Sequence, residues 1–108
     1  MAQLSTQHSR MVNTKHKRAA EIQDSIRQIL LQDWDPLQVR DIPQCEHEYD
    51  SYVGGVYRIL ASSRSEQQLA DYLLKTGHEI MGAPLAAGAS SEGLRPLARK
   101  LLEVDVRL

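Results

Sequence analysis

Ala19-Ala20-Glu21-Ile22-Gln23-Asp24-Ser25-Ile26-Arg27-Gln28-Ile29-Leu30 is the stretch that decides the fold. Its apolar residues, Ala19, Ile22, Ile26, Ile29 and Leu30, recur at three- and four-residue steps. That spacing lays one apolar stripe along an α-helix. Toward the N-terminus the pattern begins at about Lys15. Toward the C-terminus Pro36 stops it, because the residue before a proline is pushed out of the helical region. Residues 1–14 are polar and without period, so they read as a disordered, basic leader ahead of a single helical domain over 15–108. Leu31 falls off the stripe, opposite Ile22: either another element covers it or it is exposed.

The rest of the chain repeats the helical signal. Tyr49, Val53, Val56 and Leu60 make the stripe of a second helix over about 44–61, flanked by Tyr52 and Ile59. Gly54-Gly55 interrupts it, at about 1 kcal/mol per glycine relative to alanine. The pair implies either a kink or, the favoured reading, close approach of another backbone. Ser65 is placed to cap a third helix with Gln68 at the capping-box position. Leu69, Tyr72, Leu73, Thr76 and Ile80 are its buried face, Gly77 weakens its last turn and Gly82 ends it. Residues 82–93 are small and patternless, a flexible linker. A last helix over about 94–104 uses Leu97, Ala98, Leu101 and Leu102, with Pro96 tolerated in its first turn. The expected fold is all-α, a small antiparallel bundle of three to four helices.

Composition agrees. A chain of 108 residues makes one domain, and 42% hydrophobic with 25% charged residues is ordinary for a globular protein. No stretch alternates convincingly enough for a strand. With no Phe, the core must be built from Leu, Ile and Val around four Tyr and one Trp. Cys45 is the only cysteine, which excludes an intramolecular disulfide and a thiolate zinc cage. No signal-peptide core or membrane-length apolar run is present, so a cytoplasmic protein is expected.

Charge is segregated. The net charge is −1, yet Arg10, Lys15, Lys17 and Arg18 stand in residues 1–20 without an acid. Asp33, Asp35, Asp41, Glu46, Glu48 and Asp50 then face Arg40 alone. Trp34, Tyr49, Tyr52 and Tyr57 fall within or beside that acidic block. On a continuous helix, Glu46, Asp50 and Tyr57 line one edge beside the bare patch at Gly54. A solvated face is the plainer reading of such an edge; a docking edge for a basic partner is the functional one. Trp34-Asp35-Pro36 divides in the same way. The indole either folds back as a plug over the helix end, with Asp35 bonded to turn amides, or stands out as an interface anchor.

Other chemistries are less supported. His47 lies among Glu46, Glu48 and Asp50, but a metal-dependent bundle enzyme draws inward-facing ligands from several helices, and only one offers a cluster here. No metal or cofactor is expected. Cys45 and His47 lack the oxyanion donors and third group that nucleophilic catalysis requires. The turn 62–64 has a length compatible with a helix-turn-helix. However, Glu66, Asp71 and Glu79 against Lys75 are the wrong balance for a phosphate surface. The basic leader keeps a nucleic-acid-associated regulator as one alternative, and a metal-binding enzyme is the other.

Ile26, Ile29-Leu30, Trp34-Asp35-Pro36, then Glu48-Tyr49-Asp50-Ser51-Tyr52, then a Leu-rich helix closing at Met81-Gly82 resemble a group of short bacterial helical proteins of unknown function. Those proteins pair a Trp-Asp-Pro motif with a Glu-Tyr-Asp-x-Tyr motif. The resemblance covers about 20–82 and implies an all-α fold and a bacterial source; it brings no activity, cofactor or catalytic residue. His47 and the double glycine depart from its pattern. The function expected is a non-enzymatic protein-binding module, its acidic and aromatic surface (Trp34, Asp35, Glu46, Asp50, Tyr52, Tyr57) engaging a basic protein. An immunity or inhibitor role is its most concrete form.

Overall fold

The computed structural model describes the backbone of residues 2–82 and 89–108, with side chains from position 14 onward. The elements described are four α-helices: α1 (Ala2–Ile29), α2 (Asp50–Ala61), α3 (Glu66–Met81) and α4 (Arg95–Leu102). α1 packs on α2 and α4, and α3 on α2 and α4, so the four surround one core. Among the described residues there is no strand. No helix described is long and apolar enough to cross a membrane.

Ile22, Ile26 and Leu30 are buried as their spacing predicts, and they meet Val53, Val56, Leu60, Leu69, Leu73 and Leu101 in the core. Leu31 is buried too, and the reason is local. The backbone widens into a π-helical turn, Leu30–Trp34, closed by Asp35 N–H on the carbonyl of Leu30 at 2.9 Å. Leu31 lies inside this turn and joins the buried core cluster. Asp35 then leaves the helix in the left-handed region, φ 38°.

Two boundaries differ from expectation. α1 begins at Ala2, not near Lys15, so the segment expected as a disordered leader has helical backbone. Residues 2–14 contain no Gly or Pro, so no strong helix breaker stops the helix from extending back beyond the periodic stretch. At the other end, the segment before α2 is not helix. Pro43–Cys45 forms one 3-10 turn, and Glu48, Asp50 and Tyr52 N–H groups bond three residues back, to Cys45, His47 and Tyr49. Glu46 and His47 therefore lie outside α2, and the expected helical edge from Glu46 through Asp50 to Tyr57 does not form.

The third helix follows its sequence signals. Ser65 Oγ accepts from Gln68 N–H at 3.1 Å, and Gly82 closes the helix at φ 67°. The glycine pair resolves asymmetrically. α2 runs unbroken through it; a Cβ on Gly55 would overlap the ring and hydroxyl of Tyr72, while Gly54 has open space. Close approach is correct at Gly55, but a side chain makes it. Gly77 is buried against Trp34 rather than merely weakening a turn.

Of the expected linker, 83–88 lies outside the described residues. Its last part is built structure: Glu92–Leu94 forms a 3-10 turn. The buried Ser91 donates to Asp71 at 2.8 Å and accepts from Gln67 at 3.0 Å. Glu66 ties α3 to α4 through Arg95 at 2.9 Å and Arg99 at 2.7 Å. Arg64, left-handed at φ 48°, turns α2 into α3 and lays its guanidinium on the carbonyls of Leu60 and Leu102. A cation there complements the negative ends of two helices.

Candidate functional site

The loop 36–49 between the π turn and α2 is the one long irregular connection described, and its shape is set by Asp35. The Asp35 carboxylate accepts Val39 N–H at 2.8 Å, Arg40 N–H at 3.2 Å and the Tyr49 hydroxyl at 2.7 Å. Tyr49 is fully buried at 1% exposure, and its oxygen accepts Leu37 N–H at 2.9 Å. One carboxylate and one phenol thus hold the start, middle and end of the loop together. Burial works against the Asp35 charge, but the bonds from Val39, Tyr49 and Arg40 outweigh it and keep the carboxyl below its ordinary range. Burial and the neighbouring Asp35 drive the Tyr49 phenol well above its ordinary value.

Trp34 sits over this arrangement. Its ring centroid lies 5.3 Å from that of Tyr49 and 6.0 Å from that of Tyr52, the latter edge-on. Tilted and edge-on pairs of this kind add to what burial alone contributes. Trp34 is half-buried against the core, so it plugs the helix end, with its neighbour Asp35 bonded to turn amides.

Asp50 opens α2 and closes the loop from the other side. Arg27 of α1 grips it with Nε at 2.7 Å and a terminal nitrogen at 3.2 Å. His47 Nδ1 lies 2.9 Å from Oδ2, the oxygen that the terminal nitrogen of Arg27 also meets. Burial opposes ionisation of Asp50, and the bonds from Arg27 and His47 overcome it, leaving the carboxyl below its ordinary range. Asp33 is held too, by Lys100 of α4 at 2.5 Å. Three of the six acids are therefore occupied by the fold.

The other three are displayed. Asp41, Glu46 and Glu48 are exposed. Among the described residues, Glu46 has its one ion pair with its neighbour His47, at 3.2 Å. Asp41 and Glu48 have no ion pair among the described residues. The same loop exposes Leu37 (38%) and Ile42 (45%), two of the few large apolar side chains turned to solvent.

The six residues singled out in the sequence thus separate. Trp34, Asp35 and Tyr52 are brought together with Tyr49. Asp50 is adjacent through His47, with Glu46 beyond it on the rim. Tyr57 lies two turns along α2 and lines a different groove with Ala19, Gln23, Val53, Gly54 and Leu108. Arg27 and Lys100, which pair with two of the six acids, Asp50 and Asp33, were not visible as participants, because their partners lie on other elements. Leu37 and Ile42 were also missed; two apolar residues inside an acidic, Pro-flanked loop were the available signal. Among the described residues no group of three or more His, Cys, Asp and Glu is arranged to hold a metal ion.

No family model, curated protein or solved structure matches the chain.

Proposed function

We propose that the chain is a non-enzymatic protein-binding module whose 36–49 loop engages a basic protein. One observation carries the reading: Asp35 and Tyr49 brace the loop from inside while Asp41, Glu46 and Glu48 remain exposed on it. A braced loop loses little conformational entropy when a partner docks, which favours affinity. Leu37 and Ile42 supply apolar contact, and the three carboxylates steer a cationic surface toward them. Trp34, Asp35, Tyr52 and Asp50 act by shaping the loop, and Glu46 by direct contact. The role expected of such a surface is inhibition of a basic toxin or nuclease, as in immunity proteins.

The test is affinity capture from the source lysate with the tagged chain, at low and high salt, beside an Asp41→Lys/Glu46→Lys/Glu48→Lys variant. A stoichiometric basic protein is expected at low salt, released at high salt and lost in the variant, with the variant's melting temperature unchanged. Capture that survives both, or no protein captured, would refute the reading.

A further inference from the structure

The arm of α1 and the acidic loop carry opposite charge at opposite ends of one helix. Arg18 ties α1 to the C-terminal segment: its guanidinium donates to the carbonyls of Asp105 at 2.7 Å and Arg107 at 3.1 Å. Before that point Lys15, His16 and Lys17 are all exposed. Three consecutive helical residues cover about 200° of the helix circumference, so this turn rests on no other element described here. The chain upstream of it is helical from Ala2 and contains Arg10 but no acid.

The acidic loop cannot do so within the same chain. Lys15 and the start of the π turn at Leu30 are separated by about 23 Å of helix at 1.5 Å per residue. That is well beyond the ~8 Å Debye length at physiological ionic strength. α1 and its π turn hold the two charged ends apart like a strut, which agrees with a molecule measuring 63 × 33 × 19 Å. In a second copy laid antiparallel, the strut brings each basic arm to the other's loop. The arrangement is two-fold and closed, with the same pair of surfaces used twice. A net charge of −1 leaves little overall repulsion between copies.

We propose that the occupant of the loop is a second copy of this chain: two molecules pair antiparallel, residues 15–17 of each against Asp41, Glu46 and Glu48 of the other. The inference rests on the reading of the loop as a docking surface, and it names the partner. It also makes the dimer and the complex with another basic protein mutually exclusive, since both take the same loop.

The experiment is sedimentation equilibrium of the full chain at low and high salt, with two charge-swapped variants, Lys15→Glu/Lys17→Glu and Glu46→Lys/Glu48→Lys. All four positions are exposed, so both variants keep the fold. Wild type is expected at twice the chain mass in low salt and at the single mass in high salt. Each variant alone is expected to dimerise about a hundredfold more weakly, because like charges then face each other. Mixed together, the two variants restore both junctions and return to the double mass. A wild-type monomer at low salt, a dimer indifferent to salt, or a mixture that stays monomeric would overturn the proposal. So would a monomer whose 15–17 turn retains nucleic acid. If Glu46→Lys/Glu48→Lys still abolishes capture of a basic protein while wild type is a monomer, the loop reading stands and self-pairing alone fails.

Discussion

Between positions 33 and 50 one short stretch of chain puts its carboxylates to two uses. Asp33, Asp35 and Asp50 are taken up by partners from elsewhere: Lys100 of α4, the amides of the loop with Tyr49, and Arg27 of α1. Asp41, Glu46 and Glu48, on the same loop, stand in solvent. Residue type does not separate the two sets; position does. The difference shows that a run of negative charge in a sequence is not a free acidic surface, because half of this one is engaged by the fold: Asp35 and Asp50 half-buried, and Asp33 in an exposed ion pair.

The comparison breaks most visibly at Asp35. Replacing it by Ala strands the N–H groups of Val39 and Arg40 and the Tyr49 hydroxyl. Bonds to a charged acceptor are worth about 1.5–3 kcal/mol each and are not additive. A loss of about 3 kcal/mol in urea unfolding is expected, against less than about 0.5 kcal/mol if the carboxylate were merely solvated. The acid limb of the stability profile follows. Asp35 and Asp50 ionise at lower pH in the folded protein than in the unfolded chain. Their contribution is therefore complete above the ordinary carboxylate pKa, about 4, and disappears as pH falls below it. Asp35→Asn should flatten that limb; an unchanged limb would mean that Asp35 is not held.

Tyr49→Phe comes next, at about 1–2 kcal/mol, since it removes the donor to Asp35 and the acceptor for Leu37 while keeping the ring. It also carries an alkaline signature. The unfolded phenol ionises at about 10, whereas the folded one keeps its proton to higher pH. Above pH ~10 the unfolded state binds fewer protons, so stability falls as pH rises. The Phe variant should lose that part of the slope, and pH-dependent thermal melts measure it.

What could be read in advance, and what could not, follows the range of the interaction. Ser65 with Gln68, the turn at Gly82 and the stripe Ile22, Ile26, Leu30 all depend on neighbours within four residues or on helical period, and each was legible. Leu31 was not, because it lies off the helical stripe, yet it is buried within the π turn. Residues 44–49 were expected as helix and are not, because their backbone bonds run three residues back in successive turns, a difference that residue types there do not signal. The pairing of Arg27 with Asp50, and of Asp33 with Lys100, links separate elements and leaves no trace in either segment. So the fold class was legible, and so was the crowding of acids between 33 and 50, but not which of those acids the fold takes up.

The smaller effects sharpen the same contrast between used and displayed positions within α2. Gly55→Ala meets the Tyr72 ring and should cost about 1–2 kcal/mol in displaced packing. Gly54→Ala meets nothing within 4 Å and should stabilise by up to about 1 kcal/mol through helix propensity. Equal effects in denaturant titration would show that the ring does not seat on Gly55.

The most direct measurement is the thermal unfolding of Asp35→Ala beside that of the triple variant Asp41→Ala/Glu46→Ala/Glu48→Ala. One lost carboxylate should lower the melting temperature by more than about 10 °C, at 4–8 °C per kcal/mol for a domain of this size. Loss of the three displayed ones should leave it within about 3 °C, each a surface change of small effect. A triple variant that melts far below wild type, or an Asp35→Ala protein that melts with it, would contradict the division of this loop into a braced interior and a free acidic rim.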